Sequence, residues 1–124
     1  MPKNMLPVRC TVLVVEDDPL LRKVAVDMLQ GAGISVLEAG TADAAWNILQ
    51  SEPGIDTLFT DINMPGSMDG LDLAGRVAER WPKIRLVVTS AGHGLCDDDM
   101  PAYGRFLMKP YRRTQLLKAV AVTA

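Results

Sequence analysis

The chain has 124 residues, 48% hydrophobic and 23% charged, which suits one globular domain with a core of its own and leaves too little for two. Fifteen acids against thirteen bases give a formal charge of -2, excluding both the basic footprint of a nucleic-acid binder and the acidity of a solvated tail. Two cysteines, Cys10 and Cys96, with no C-x-x-C exclude a disulfide framework and a zinc ribbon, and free thiols suit a reducing cytoplasm.

Residues 1–9 read as an N-terminal extension ahead of one domain at 10–124. Met1 to Arg9 lacks the long apolar stretch of a signal peptide, and no run approaches the ~20 apolar residues of a membrane span, so neither export nor membrane insertion is expected. Thr11-Val12-Leu13-Val14-Val15 is a continuous apolar, β-branched run, the pattern of a strand buried on both faces. Asp18-Pro19 reads as an N-cap followed by proline at the first helical position. Leu21, Val24, Ala25 and Met28 then recur at helical spacing, with Leu21 and Val24 assigned to the core, until Gly31 and Gly33 close the helix.

Ser35 to Ala39 is a second strand, and Thr41 caps a helix carrying Ala42, Ala45, Trp46 and Leu49. Pro53-Gly54 breaks the chain before a third strand at Thr57 to Thr60. A helix spans Leu71 to Trp81 and stops at Pro82; Arg85 to Thr89 is a fourth strand. Gly92 to Pro101 holds two Gly, three consecutive Asp and a Pro, and predicts a fourth helix that is short or irregular. Arg105 to Met108 is a fifth strand, and a last helix runs from about Arg113 to Val122 with Leu116, Leu117 and Val120 inward. Strands alternating with helices predict an α/β domain whose parallel sheet is covered on both faces.

Sites in such sheets form at the carboxyl ends of the strands. There the first strand ends in Glu16-Asp17-Asp18, the third in Asp61, the fourth in Thr89-Ser90 and the fifth in Lys109-Pro110. Asp18 before Pro19 is a helix cap. Glu16, Asp17 and Asp61, brought together, repel one another, which argues against a purely structural cluster. A hard divalent cation offsets that repulsion, and oxygen-only ligands favour Mg2+ over zinc. Lys109 adds a point charge for a phosphoryl oxygen and Thr89 a hydroxyl donor. Eleven of the fifteen acids are Asp, a residue that favours caps, loops and sites over solvated helix faces. The ensemble suits phosphoryl transfer.

Val14-Val15-Glu16-Asp17-Asp18-Pro19, Thr60-Asp61-Ile62-Asn63-Met64-Pro65, Met68-Asp69-Gly70, Val88-Thr89-Ser90 and Met108-Lys109-Pro110 resemble, in order and spacing, the receiver domain of bacterial two-component response regulators. The resemblance covers about Cys10 to Val122. It implies a flavodoxin-like, doubly wound fold with five parallel strands in the order 2-1-3-4-5. It implies that Asp61 is the phosphoacceptor, taking its phosphoryl group from a phosphohistidine on a sensor histidine kinase or histidine phosphotransfer protein. Glu16, Asp17, Asp61 and the backbone carbonyl of Asn63 are then the Mg2+ ligands, and Lys109 contacts the phosphoryl oxygens. Thr89 and Phe106 form the switch pair, and the Lys109-Pro110 peptide is cis. Such a domain is a signalling switch that catalyses only its own phosphorylation and dephosphorylation.

Three departures stand out. Glu16 occupies a position more often Asp, Gly66-Ser67 lengthen the loop after Asp61 by one residue, and Phe106 replaces a commoner Tyr. The ill-formed 92–101 segment leads us to expect a monomer or weak dimer, and the start at Met1 favours a stand-alone receiver over a piece of a longer regulator. Leu20, beside Pro110-Tyr111, is a candidate kinase-docking residue by resemblance. His93 reads as an exposed loop residue, Asp97-Asp98-Asp99 as a solvated turn, and Trp46 and Trp81 as packing. Arg112-Arg113 is too short for a nucleic-acid patch.

Rival functions fare worse. An aspartyl-nucleophile phosphatase needs a second Asp as general acid two residues after Asp61, where Asn63 stands and cannot donate and regain a proton. A flavodoxin-like cofactor binder needs a phosphate loop after the first strand, where Glu16-Asp17-Asp18 repels phosphate. A pseudo-receiver that only binds partners has no need of the full set Asp17, Asp61, Thr89 and Lys109.

Overall fold

The computed structural model describes residues 10–91 and 104–120. Their order is β1 (Thr11–Val15), α1 (Pro19–Gly31), β2 (Ser35–Ala39), α2 (Ala42–Ser51), β3 (Thr57–Asp61), α3 (Gly70–Arg80), β4 (Arg85–Ser90), β5 (Arg105–Met108) and α4 (Arg113–Val120). The predicted fourth helix at Gly92 to Pro101, with Cys96, His93 and Asp97 to Asp99, lies outside the described residues, as does the 1–9 extension.

All four strand pairings are parallel and give the order β2-β1-β3-β4-β5. Period-2 alternation divides the sheet's side chains between two cores. Leu13, Val15, Leu58, Leu86 and Val88 face α2 and α3, meeting Ala45, Leu49, Leu73 and Val77. Val12, Val14, Phe59 and Val87 face α1 and α4, meeting Ala25, Leu29, Leu116 and Val120. Because the sheet is sandwiched, its inner strands β1, β3 and β4 are buried on both faces and read as apolar runs rather than alternating ones, while the edge strands β2 and β5 are partly exposed.

The helix starts follow local chemistry. The Asp18 carboxylate accepts from the Leu20 and Leu21 N–H groups at 2.9 and 3.2 Å, with Pro19 in the first turn. The Thr41 hydroxyl accepts from Ala44 N–H at 3.0 Å. Asp69 and Asp72 form a reciprocal capping box at the start of α3, at 2.9 and 3.2 Å. Asp69→Ala removes the cap and is expected to cost about 1 kcal/mol, read as a lower urea midpoint at unchanged slope. An unchanged midpoint would show that the box contributes nothing.

Three sequence expectations need correction. Leu21 and Val24 do not enter the core: they are 44% and 41% exposed, and the buried stripe of α1 is Ala25, Val26 and Leu29. The helix carries two apolar rows, and only the one containing small Ala25 can approach the sheet closely. Strands β3 and β4 each run one residue further than expected, to Asp61 and Ser90. Helix α3 begins at Gly70 rather than Leu71, and Trp81 is its C-cap rather than a helical residue. Trp46 and Trp81 do pack, with ring centroids 5.2 Å apart against the α2–α3 core.

Candidate functional site

Parallel strands send all their carboxyl ends to one edge, and a crevice opens where the chain winds in opposite directions from neighbouring strands. Here that point lies between β1 and β3, because β2 was added on one side of β1 and β3 on the other. Val15 pairs with Thr60 and Asp61 pairs with Thr89. This register sets Glu16, Asp61 and Thr89 level with one another across three adjacent strands. Glu16 is fixed further by its N–H, which donates to the Ala39 carbonyl at 3.1 Å.

Ligand oxygens of Glu16, Asp17 and Asp61 all lie within 4.8 Å of one another, with Glu16 and Asp61 buried and Asp17 exposed. Lys109 reaches the cluster from the end of β5. Its N–H donates to the Ser90 carbonyl at 2.9 Å, and the Lys109–Pro110 peptide is cis. Its ammonium lies 2.8 Å from Glu16 Oε1 and 3.3 Å from Asp61 Oδ2. Glu16 Oε2 also accepts from the Asp18 N–H at 3.2 Å. Burial still raises the Glu16 pKa, outweighing its hydrogen bond to Lys109. Burial by itself would lower the Lys109 pKa, but the Glu16 hydrogen bond and the Asp61 charge raise it, so the ammonium stays charged at neutral pH. One cation therefore faces three carboxylates, and the deficit of positive charge is what a bound cation would correct.

The donor set fits Mg2+. All the candidate ligands are hard oxygens, they converge from two strand ends, and among the described residues no His or Cys joins the cluster. The longer arm of Glu16 does not remove it from the group; it lets the same carboxylate bind Lys109 as well. Asn63 stands on the exposed start of the loop after β3.

Thr89 is buried beside Asp61 in the register, and among the described residues its hydroxyl oxygen has no hydrogen-bond partner; neither has that of Ser90. A buried orphan hydroxyl is costly unless a ligand completes it. Phe106 is half-buried on β5, paired with Val88 and packed on the α2–α3 core. Tyr111 lies below Lys109-Pro110, edge-on to Phe59 with ring centroids 5.6 Å apart, and burial raises its pKa, so the phenol stays neutral.

Three supports were not read from the sequence. Gly70 presses α3 onto the end of β3: a Cβ there would collide with the Asp61 carbonyl, and the Gly70 N–H donates to the Ile62 carbonyl at 2.9 Å. The Ser67 hydroxyl is shared between the two carboxylate oxygens of Asp43, at 3.0 and 3.2 Å, so the lengthened loop is tied to the first turn of α2. Gly66, at φ +116°, makes the bend that allows this. The guanidinium of Arg22 holds the Glu16 carbonyl at 2.7 Å. A glycine just after an N-cap was the one legible signal among these.

Residues 12–121 match the family model described as the response regulator receiver domain. The chain is 34% identical over 114 residues to the response regulator protein FleR of Pseudomonas aeruginosa, covering 89% of this chain but 24% of FleR. It is 32% identical over 112 residues to the response regulator receiver protein CpdR of Brucella abortus, covering 88% of this chain and 92% of CpdR. The fold matches a crystal structure of a response regulator receiver protein from Pseudomonas putida at TM-score 0.75 and 26% identity, over 93% of this chain and 98% of that one. Relatives also include the sensor protein TorS of Escherichia coli, of which the chain spans 8%.

Proposed function

This chain belongs to the response regulator receiver domain family, and from that premise we propose that it accepts a phosphoryl group on Asp61 from a phosphohistidine of a sensor kinase or histidine phosphotransfer protein. The observation that carries this reading is the convergence of three carboxylates and one ammonium at the switch point of the sheet. An Asp61 carboxylate oxygen attacks phosphorus, the phosphorus–nitrogen bond breaks, and the imidazole leaves. The product is an aspartyl phosphate. Glu16, Asp17, Asp61 and the Asn63 carbonyl would hold Mg2+, which when bound supplies positive charge to the carboxylate cluster and the phosphoryl oxygens.

The chain's own residues do the rest. Lys109, held charged by Glu16, offers its ammonium to a phosphoryl oxygen. Thr89 turns its unpartnered hydroxyl to the new phosphoryl group, and Phe106 packs inward behind it. The phosphoryl group biases this pair only through such differential contacts, which makes the domain a switch with no external substrate. The kinase approaches over the exposed row of α1. Leu20 is 69% exposed, and a groove of about 350 Å³ is lined by Leu21, Val24, Met28, Lys109, Pro110 and Tyr111. Monomeric or weakly dimeric action in the cytoplasm, without direct contact to nucleic acid, completes the reading. Among the described residues no helix is long and apolar enough to cross a membrane.

Acetyl phosphate with Mg2+ is expected to add one phosphoryl mass to the intact chain, mapping to Asp61 and abolished by EDTA. An adduct at another residue, or one indifferent to EDTA, contradicts the assignment. No adduct from acetyl phosphate or from a phosphorylated kinase leaves a partner-binding pseudo-receiver.

A further inference from the structure

Arg22 lies one turn into α1, yet its side chain is only 24% exposed. It turns back over the strand ends, where Nη1 donates to the Glu16 backbone carbonyl at 2.7 Å and Nε donates to Glu38 Oε1 at 3.3 Å. Glu38 belongs to β2 and pairs in register with Val14. Gly40 leaves the space the guanidinium fills, since a Cβ there would stand 3.3 Å from Nη1. One planar fork thus ties α1, the turn after β1, and β2 together at the point where the chain presents Glu16 and Asp17. Arg is suited to this because its donors are fixed relative to one another, whereas a lysine offers a single ammonium.

We infer that Arg22 is a positioning residue for the cation site: by holding the Glu16 carbonyl it fixes the direction in which the Glu16 and Asp17 carboxylates leave the turn. The inference rests on the reading of Glu16, Asp17 and Asp61 as a Mg2+ site. Beyond the Asp18 bonds that begin α1, the turn's other anchors among the described residues include the Glu16 N–H on Ala39 and the Asp18 N–H on Glu16 Oε2. The Ala39 bond fixes where the turn begins. The Oε2 bond is made by a carboxylate that must be free to serve the cation. The carbonyl bond of Arg22 restrains the backbone without occupying a ligand oxygen. Supports of this kind around metal sites are commonly worth 10- to 100-fold in affinity.

Charge and position make opposite predictions here. As a bare positive charge near the cluster, Arg22 opposes a cation, and removing it would tighten binding. As a positioning device it favours the cation, and removing it loosens binding. Pairing with Glu38 offsets the guanidinium's charge, so position is expected to dominate.

The test is calorimetric titration of the full chain with Mg2+ alone, well below the melting temperature. Arg22→Ala is expected to weaken binding about tenfold. Arg22→Lys, which keeps the charge and one donor but loses the fork, is expected to weaken it about threefold. Without metal, amide exchange across Glu16 to Asp18 should accelerate in both variants. If Arg22→Ala does not fold, Arg22→Lys decides alone. Variants that bind Mg2+ as tightly as the parent, or more tightly, overturn the inference and leave the site standing. A parent that binds no Mg2+ overturns the site and the inference with it.

Discussion

An Asp61→Asn chain is expected to gain no phosphoryl mass from acetyl phosphate and Mg2+, and to melt at a higher temperature than the parent when no divalent cation is present. The first part follows from chemistry, because a carboxamide oxygen is too weak a nucleophile to form the acyl phosphate. The second follows from the charges around Asp61. Glu16 and Asp17 each present an oxygen within 4.8 Å of it, a gross repulsion of roughly 3 kcal/mol apiece at an effective dielectric of about 20. Asp17 is exposed, so its share is smaller. The penalty of burying the Asp61 charge adds to this repulsion, and against both stands the attraction of Lys109 at 3.3 Å, roughly 5 kcal/mol gross on the same scale.

The amide keeps the side chain's shape, removes the repulsion and the desolvation penalty, and leaves Lys109 its closer partner, Glu16, at 2.8 Å. The net gain is expected to be about 1 kcal/mol, or about 3 °C for a domain of this size. Adding Mg2+ should reverse the order, since the parent gains stability with ligand concentration and the variant gains less. A variant that melts below the parent without divalent cations would show that the carboxylates do not oppose one another in the fold. Uptake of a phosphoryl group by the variant would remove Asp61 from the acceptor role.

Much of this molecule is legible from the chain itself. Parallel strands buried on both faces leave apolar runs, so the inner strands β1, β3 and β4 stand out, and Asp18, Thr41 and Asp69 mark three helix starts by capping chemistry that acts within three residues. Glu16, Asp61, Thr89 and Lys109 stand out because a parallel sheet gathers strand ends, so position along the chain becomes position in space. What stays hidden depends on relations the chain does not encode locally. Periodicity gives the width of the apolar stripe on α1 but not which of two rows meets the sheet, and so Leu21 and Val24 are misplaced. The Ser67–Asp43 bond joins residues 24 positions apart and exists only after α2 and α3 have packed. Arg22 reads as an ordinary helix-surface charge until β2 supplies Glu38 and Gly40 supplies the space.

Gly70 is the sharpest case, because its local signal and its structural role point in opposite directions. Within a helix, Gly is about 1 kcal/mol worse than Ala, so Gly70→Ala ought to stabilise α3 by that measure. The structure predicts the reverse. A methyl group at this position would overlap the backbone carbonyl of Asp61 and press on Ile62, and neither is a flexible side chain that could swing aside. Helix α3 must therefore back away from the end of β3, stretching the Gly70 N–H bond to Ile62 and dragging on the core contacts of Leu73 and Val77. Overpacking of this kind costs typically 1–3 kcal/mol, so the variant is expected to be destabilised by about 2 kcal/mol after the propensity gain. The displaced group is the backbone of Asp61, the proposed phosphoacceptor, so phosphoryl uptake should fall at least tenfold even at temperatures where the variant is fully folded. Were Gly70→Ala as stable and as readily phosphorylated as the parent, the close approach of α3 would not be what holds Asp61 in place. A loss of stability with normal uptake would make Gly70 a packing residue only. The expected result is loss of both, because one contact sets the helix and aims the proposed nucleophile.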